Sequence, residues 1–447
     1  MIRSRFHSVL LEEDSCKGCT ICVTGCPVQA IRVRDGKARI LQEKCIDCGE
    51  CIRRCPNHAK KAAPDNFAAF RLQIQEDSAP RNRIVLPAPS LYGQVGDGYS
   101  IGEIHRALLS LGFTAVFPVA AATAGITAAT AFLLAKTGED ALPRPVISAS
   151  CPTVIKFIRT RFPTLLKNVS PVIPPVNLAA KLAYKTLCAS AGTEISRKDT
   201  GLYFLSPCPG KITETLSPMD GGVPVVDGVF SLKDIHLPLL AALRELRKSA
   251  ALPPDQSFAD SGQVFREEIA WGRAGGEAEA AAAMHNCKRI AVDGIARCEK
   301  ILEAVEDGKL DGVDFLELTA CPGGCVGGVL TIENPSIAEF RLRAKEEAER
   351  NTPEKTGAEQ FAQERPMRQT EIEARPVLLL DPDFKKAAAM MEQIEEIAAG
   401  LPGLDCGCCG APNCRALAED IVRGNAEQTD CIVILKEQYR SLLENGG

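Results

Sequence analysis

Phe315-Leu316-Glu317-Leu318-Thr319-Ala320-Cys321-Pro322-Gly323-Gly324-Cys325-Val326-Gly327-Gly328 is the stretch that decides the fold. A hydrophobic strand pattern, Val313 to Leu318, runs straight into two cysteines spaced CxxxC, wrapped in proline and glycine. Soft thiolates suit metal clusters. Glycine lets the backbone come close to a bound group without a Cβ in the way. The stretch therefore reads as a buried strand that ends at a metal cluster.

Two further strands upstream end the same way. Val146-Ile147-Ser148 delivers Cys151-Pro152, and Leu202-Tyr203-Phe204-Leu205 delivers Cys208-Pro209-Gly210-Lys211. Ile84-Val85-Leu86 and Val116-Phe117-Pro118-Val119 read as additional strands. Ile101, Ile104, Leu108 and Leu111 recur at helical spacing before Gly112, which sits where a C-cap glycine belongs. A helix is expected over the Ala-rich stretch from Ala120 to Ala135, and another after Cys151 with Val154, Phe157 and Ile158 on one face. Strands alternating with helices predict an α/β domain with a parallel sheet, and such sheets bind ligands outside the carboxyl ends of their strands. Cys151, Cys208, Cys321 and Cys325 then make a four-thiolate set for one buried cluster.

The N-terminal region repeats one motif. Cys16-x2-Cys19-x2-Cys22-x3-Cys26-Pro27 is followed by Cys45-x2-Cys48-x2-Cys51-x3-Cys55-Pro56. This spacing resembles that of bacterial two-cluster ferredoxins, in which the fourth cysteine of each copy serves the other cluster. The resemblance implies one [4Fe–4S] cluster on Cys16, Cys19, Cys22 and Cys55, and another on Cys45, Cys48, Cys51 and Cys26. The competing reading is a pair of zinc sites. A short hairpin is expected around Asp35-Gly36. Pro64 to Pro80 reads as a polar connector with a short amphipathic piece, Phe67-Ala68-Ala69-Phe70.

The chain has 447 residues, a formal charge of −5 and a pI near 5.8. That length exceeds one compact core, and the charge gives no basic excess for nucleic acid. With no run of 18 apolar residues and no apolar region after Met1-Ile2-Arg3-Ser4-Arg5, no membrane span or secretory leader is expected. The reading is cytoplasmic. Of the 20 cysteines, only Cys188, Cys287, Cys298 and Cys408 lie outside a ligand pattern, and the first three read as buried thiols. In a large chain without a leader, clustered CxxC spacing points to metal and not to disulfides.

The region from 336 to 396 is charged and helical in pattern, with a polar break between Asn351 and Pro376; it reads as a solvated face leading into a linker or arm. An amphipathic helix is expected from Phe384 to Ala399. Cys406, Cys409, Cys414 and Cys431 follow, the last after a helix from Ala416 to Arg423 that Gly424 stops. This arrangement resembles the small [4Fe–4S] domain found in the B component of the Rnf complex and in corrinoid proteins, with Cys408 as an extra thiol. Zinc is the alternative metal.

The three strand-end segments together resemble the cluster-binding signatures of the [FeFe]-hydrogenase catalytic domain: TSCCP, MPCxxKxxE and MACPGGCxGGG. Here they read Ser148-Ala149-Ser150-Cys151-Pro152, Ser206-Pro207-Cys208-Pro209-Gly210-Lys211 with Glu214, and Thr319 through Gly328. Val292-Asp293-Gly294-Ile295-Ala296 also resembles the family. The resemblance implies that Cys151, Cys208, Cys321 and Cys325 hold a cubane, that Cys325 bridges to a diiron subsite, and that Lys211 donates to a diiron cyanide. The departures are equally specific. Ser150 stands where the family has a proton-relaying cysteine, and Ser206 and Thr319 replace two methionines. The family's acidic stretch aligns with Ala124 to Thr130, and no carboxylate occurs from Ala120 to Lys136. These losses are similar to those of the sensory-type and related divergent branch.

The expected architecture is multidomain α+β and α/β: a two-[4Fe–4S] ferredoxin domain over 1–63, a hydrogenase-like H-domain over 82–345, a linker or arm over 346–383, and a C-terminal [4Fe–4S] domain over 384–447. The expected cofactors are four [4Fe–4S] clusters and a diiron subsite. Three functions compete: a slow or tuned hydrogenase, an H2 sensor read by a signalling partner, and an electron-transfer or scaffold protein without diiron, as in the eukaryotic hydrogenase-like assembly factors. The redox partner would be a ferredoxin or a flavin or NAD subunit. No GxGxxG follows a strand, so NAD requires another chain.

Overall fold

The computed structural model describes residues 7–96, 98–249, 269–349, 366–375, 377 and 380–445. Their contacts divide the chain into two compact units. The larger takes Met1–Ser8, Ile46–Cys48 and Ala62–Ala374; the smaller takes Val9–Cys45, Gly49–Lys61 and Arg375–Gly447.

In the smaller unit, β1 (Val9–Leu11) pairs with β4 (Lys60–Ala62), and β2 (Ile31–Arg34) pairs antiparallel with β3 (Lys37–Ile40). The hairpin turns at Asp35 and Gly36, with φ of 52° and 70°. Positive φ at both positions is what a tight hairpin of this hand requires. Helices Phe384–Gly400 and Cys414–Val422 pack together in the same unit. The hairpin is joined to them: Val33 N–H donates to Gly410 O at 2.9 Å. Arg32 and Arg34 both reach Asp420, at 2.6 and 2.8 Å. A Cβ on Gly410 would lie 2.0 Å from Val33 O, so only glycine permits that approach. Modules read as the two ends of the sequence thus share one unit.

The larger unit holds two parallel sheets. One has the order β6 (Ala115–Val116), β5 (Asn82–Pro87), β8 (Thr200–Ser206), β9 (Gly228–Ser231). The other has the order β10 (Arg289–Asp293), β11 (Phe315–Thr319), β7 (Val146–Ile147). β5 and β8 are the central strands of one sheet and β11 of the other, and their near-continuous apolar burial is what strands covered on both faces require. The helix Ile101–Ser110 begins with a capping box from Ser100 and Glu103 and ends before Gly112 at φ 108°.

Three expectations change. The strand at Val116 stops there, because Pro118 has no N–H to continue the ladder, and Val119–Ala122 forms a 3₁₀ turn leading into helix Thr123–Ala135. The connector at 64–80 is part of the core: helix Phe67–Gln73 inserts Phe67 and Phe70 against Phe113, Tyr203 and Phe230, with ring centroids from 4.8 Å (Phe70–Tyr203) to 6.3 Å (Phe67–Phe113) apart. The charged helix Pro335–Glu349 is not simply a solvated face. Lys345 is buried and donates to Val95 O at 3.1 Å, and buried Glu346 pairs with Arg273 at 3.2 Å. Of the polar break, 350–365 lies outside the described residues; Pro366 and Arg368 hydrogen-bond the Pro171–Ile173 backbone of the same unit.

Candidate metal centres

The strand-end cysteines stand where the parallel sheets release their chains. Cys208 comes two residues after β8, Cys321 two after β11, and Cys151 four after β7. Cys151 and Cys208 each precede a proline that starts a helix, Pro152–Arg161 and Pro209–Leu216; Pro is suited to that first helical position. Cys321 and Cys325 flank one tight turn, with Gly324 N–H donating to Cys321 O at 3.0 Å. Asp293, at the end of β10, fixes the turn by accepting Gly323 N–H at 2.6 Å. A Cβ on Gly328 would lie 2.3 Å from Pro207 O, so this glycine lets the loops bearing Cys208 and Cys325 touch.

Cys151, Cys325, Lys211, Ser150 and Thr319 line one cavity, closed in part by Phe204, Val119 and Trp271. Lys211 Nζ donates to Ser150 O at 3.1 Å and is only partly exposed, so it is not a solvated surface lysine. Burial pushes the Cys208 thiol up to about 12, against the pull of Lys211. Burial raises Cys325 as well. Such thiols stay protonated and inert until a metal displaces the proton. Thr319 Oγ1 is buried in the same lining and has no hydrogen-bond partner among the described residues. A buried polar atom of this kind normally has one. Cysteine sulfurs, an ammonium and an orphaned hydroxyl around one cavity fit an iron–sulfur group carrying polar ligands.

The structure also brings in residues that the sequence reading missed. Glu277, on helix Gly276–Met284, lines the cavity and accepts a hydrogen bond from Ser148 Oγ at 2.6 Å and another from Ser150. Glu317 on β11 lies beside it and accepts the N–H groups of Gly275 and Ala278 at 2.9 and 2.8 Å. Burial, then the charge of Glu317, pushes Glu277 up; burial does the same to Glu317. The helix Thr123–Ala135 has no carboxylate, but the cavity has two from other elements. The only signal was Glu317 inside the strand motif itself; Glu277 sits in an Ala-rich run with no apolar period.

In the smaller unit, Cys16, Cys19, Cys22 and Cys55 line a single cavity together with Lys60. Cys26, Cys45 and Cys51 belong to that unit, and Cys51 lies in the field of Cys45 and Cys26. Cys48 belongs to the larger unit. At the C-terminal end, Cys409, Cys414 and Cys431 share a small core with Leu417 and Ile394, while Cys406 and Cys408 are exposed neighbours. Cys298 and Cys287 are buried thiols and Cys188 is partly buried.

Parallel sheets releasing cysteines into a cavity, in a chain that also carries two cysteine-rich modules, define an iron–sulfur protein. The family model described as "Iron only hydrogenase large subunit, C-terminal domain" matches residues 81–329, a "4Fe-4S dicluster domain" matches 8–56, and a "Putative Fe-S cluster" domain matches 401–433. The chain belongs to the iron-only, or [FeFe], hydrogenase family. It is 25% identical over 371 residues to the periplasmic [Fe] hydrogenase large subunit of Nitratidesulfovibrio vulgaris, covering 72% of this chain and 86% of that one. It is 55% identical over 38 residues to the B component of the ion-translocating oxidoreductase complex of Rhodobacter capsulatus, 8% of this chain and 20% of the relative. Among solved structures, an [FeFe]-hydrogenase of Chlamydomonas reinhardtii with one glutamate replaced by alanine aligns with a TM-score of 0.51 and 16% identity, over 70% of this chain and all of that one. Among the described residues, no helix is long and apolar enough to cross a membrane.

Proposed function

We propose that this chain is a divergent [FeFe]-hydrogenase, interconverting H2 with protons and electrons slowly or as a sensor of H2. The observation that carries the reading is the cavity shared by Cys151, Cys325, Lys211 and Ser150 in a chain of this family. Cys151, Cys208, Cys321 and Cys325 would hold a cubane, with Cys325 shared with a diiron subsite. When bound, this group supplies the metal at which H–H is split heterolytically and which accepts the electrons.

The protein's part is to orient, to exclude water and to handle the proton. Lys211 offers an ammonium to an anionic ligand of the group, a charge-assisted contact. Trp271, Phe204 and Val119 keep the cavity wall apolar. Ser150 replaces a thiol with a hydroxyl, a weak acid and base near pH 7. Glu277, bonded to Ser148 and Ser150, gives the proton a carboxylate to rest on. Modules 1–63 and 384–447 would carry electrons on three [4Fe–4S] clusters, and 82–345 the chemistry. The ligands would be Cys16, Cys19, Cys22 and Cys55; Cys45, Cys48, Cys51 and Cys26; and Cys406, Cys409, Cys414 and Cys431. A ferredoxin, a flavin or NAD subunit, or a signalling partner would take the electrons or read the state, in the cytoplasm.

The second reading, a scaffold or electron-transfer protein without diiron, is favoured by Ser150, Ser206 and Thr319 alone. Infrared spectra after co-expression with hydrogenase maturases decide between the two. Cyanide and carbonyl bands with ~18 iron per chain are expected, because four cubanes give ~16. Full cubane iron without those bands would make the scaffold reading the correct one.

A further inference from the structure

The two ferredoxin repeats fold alike after their last cysteines. Cys26-Pro27-Val28-Gln29-Ala30-Ile31 matches Cys55-Pro56-Asn57-His58-Ala59-Lys60. Gln29 and His58 both take a left-handed φ, 53° and 51°. Ala30 N–H donates to Cys26 Sγ at 3.2 Å, and Ala59 N–H donates to Cys55 Sγ at 3.3 Å. At the next position the side chains differ entirely. Ile31 and Lys60 are each 2% exposed, one an aliphatic chain and the other an ammonium. Lys60 Nζ is buried, has no hydrogen-bond partner among the described residues, and lines the cavity of Cys16, Cys19, Cys22 and Cys55.

A buried ammonium without an anion is costly. A cubane on four thiolates is anionic and gains a further negative charge on reduction. An ammonium at its edge therefore favours the reduced form, the more so away from solvent. Resting on the ligand sets proposed above, we propose that Lys60 sets the two N-terminal clusters apart: it makes the cluster on Cys16, Cys19, Cys22 and Cys55 the easier one to reduce, and so the place where an electron rests. The step is the uptake of one electron from an external donor, with no bond made or broken. Arg32 acts on Cys26 of the other set, but its guanidinium is already bonded to Asp420 at 2.6 Å. Lys60 also reaches Cys51, so a smaller shift of the second cluster in the same direction accompanies the first.

The test is a dithionite-poised redox titration of the full-length, cluster-loaded protein, followed by electron paramagnetic resonance. Lys60→Ile copies the residue that the matching backbone already carries; Lys60→Gln keeps the chain length and carries the test if the first variant loses iron. Both should lower the reduction equilibrium constant of one cluster about tenfold, 59 mV for one electron, and Lys60→Arg should stay within about threefold of wild type. The signal that moves should be the one altered in Cys19→Ala. Full iron with every midpoint within about threefold of wild type in the neutral variants would overturn the role of Lys60. A Cys19→Ala protein with unchanged iron and unchanged signals would instead overturn the ligand set, and the proposal with it.

Discussion

Asp47 is held as one member of a buried unit, and a double-mutant cycle with Lys156 measures it. Its carboxylate is fully buried, 2.5 Å from Lys156 Nζ, and also accepts Thr213 Oγ1 and Ser8 N–H at 2.8 Å each. Lys156 lies on the helix that follows Cys151, and Thr213 on the helix that follows Cys208. The unit thus clamps the Ile46–Cys48 segment to the two helices that open after Cys151 and Cys208. Lys156→Met leaves a buried carboxylate with two of its three named partners, and breaking a buried pair in this way costs ~3–5 kcal/mol. The surviving bonds put the expected loss near ~3 kcal/mol. Asp47→Asn keeps a residue that tolerates the positive φ of 56° but takes the paired negative charge away from the Lys156 ammonium, for a similar loss. The double variant strands no charge and should lose no more than either single one. The coupling is therefore ~3 kcal/mol, well beyond the ~0.5 kcal/mol scatter of independent sites. Urea unfolding followed by fluorescence of Trp271, the chain's one tryptophan, reads the larger unit directly. Losses that simply add, within ~0.5 kcal/mol, would refute the clamp.

Three further outcomes are expected. Ser150→Cys should raise H2 turnover by ~10–10²-fold in protein with full iron, since a positioned proton donor contributes ~10²–10⁴; an unchanged rate would clear the missing thiol of blame. Glu277→Gln should lower turnover at unchanged iron content. It should also flatten stability against pH: the folded state keeps a proton on Glu277 that the unfolded chain releases above about 4.5, so wild-type stability falls as pH rises from there toward 8, and thermal melts at both ends of that window should show the variant losing less. Phe70→Ala should cost ~3–5 kcal/mol by opening the aromatic cluster under the first sheet, and a loss below ~1 kcal/mol in urea titrations would show that 64–80 is a connector after all.

The strand-end cysteines were legible because apolar runs, proline and glycine mark a buried strand and its loop within a dozen residues. The ferredoxin repeats were legible because their spacing is local. Glu277 was not, because its partner Ser148 is 129 residues away and its own helix is Ala-rich without an apolar stripe. Lys345 and Glu346 read as solvent-facing because charge runs usually are; their partners Val95 and Arg273 lie on distant segments. Phe67 and Phe70 were seen as amphipathic, but the surface they cover is assembled from Phe113, Tyr203 and Phe230. Local chemistry survives in one dimension, and pairings made by topology do not.

Gly410 meeting Val33 has a consequence for biosynthesis. The hairpin edge at Val33 acquires its partner only after ~380 further residues have been made, roughly 20–75 s at ~5–20 residues per second. During that interval Arg32 and Arg34 lack Asp420, and the segment between is free to fold first. The chain is therefore wired as an insertion: the segment that matches the hydrogenase catalytic domain interrupts the smaller unit, whose C-terminal piece is made long after its hairpin. Cluster loading of the ferredoxin motif must either tolerate an open hairpin edge for that time or wait for it to close.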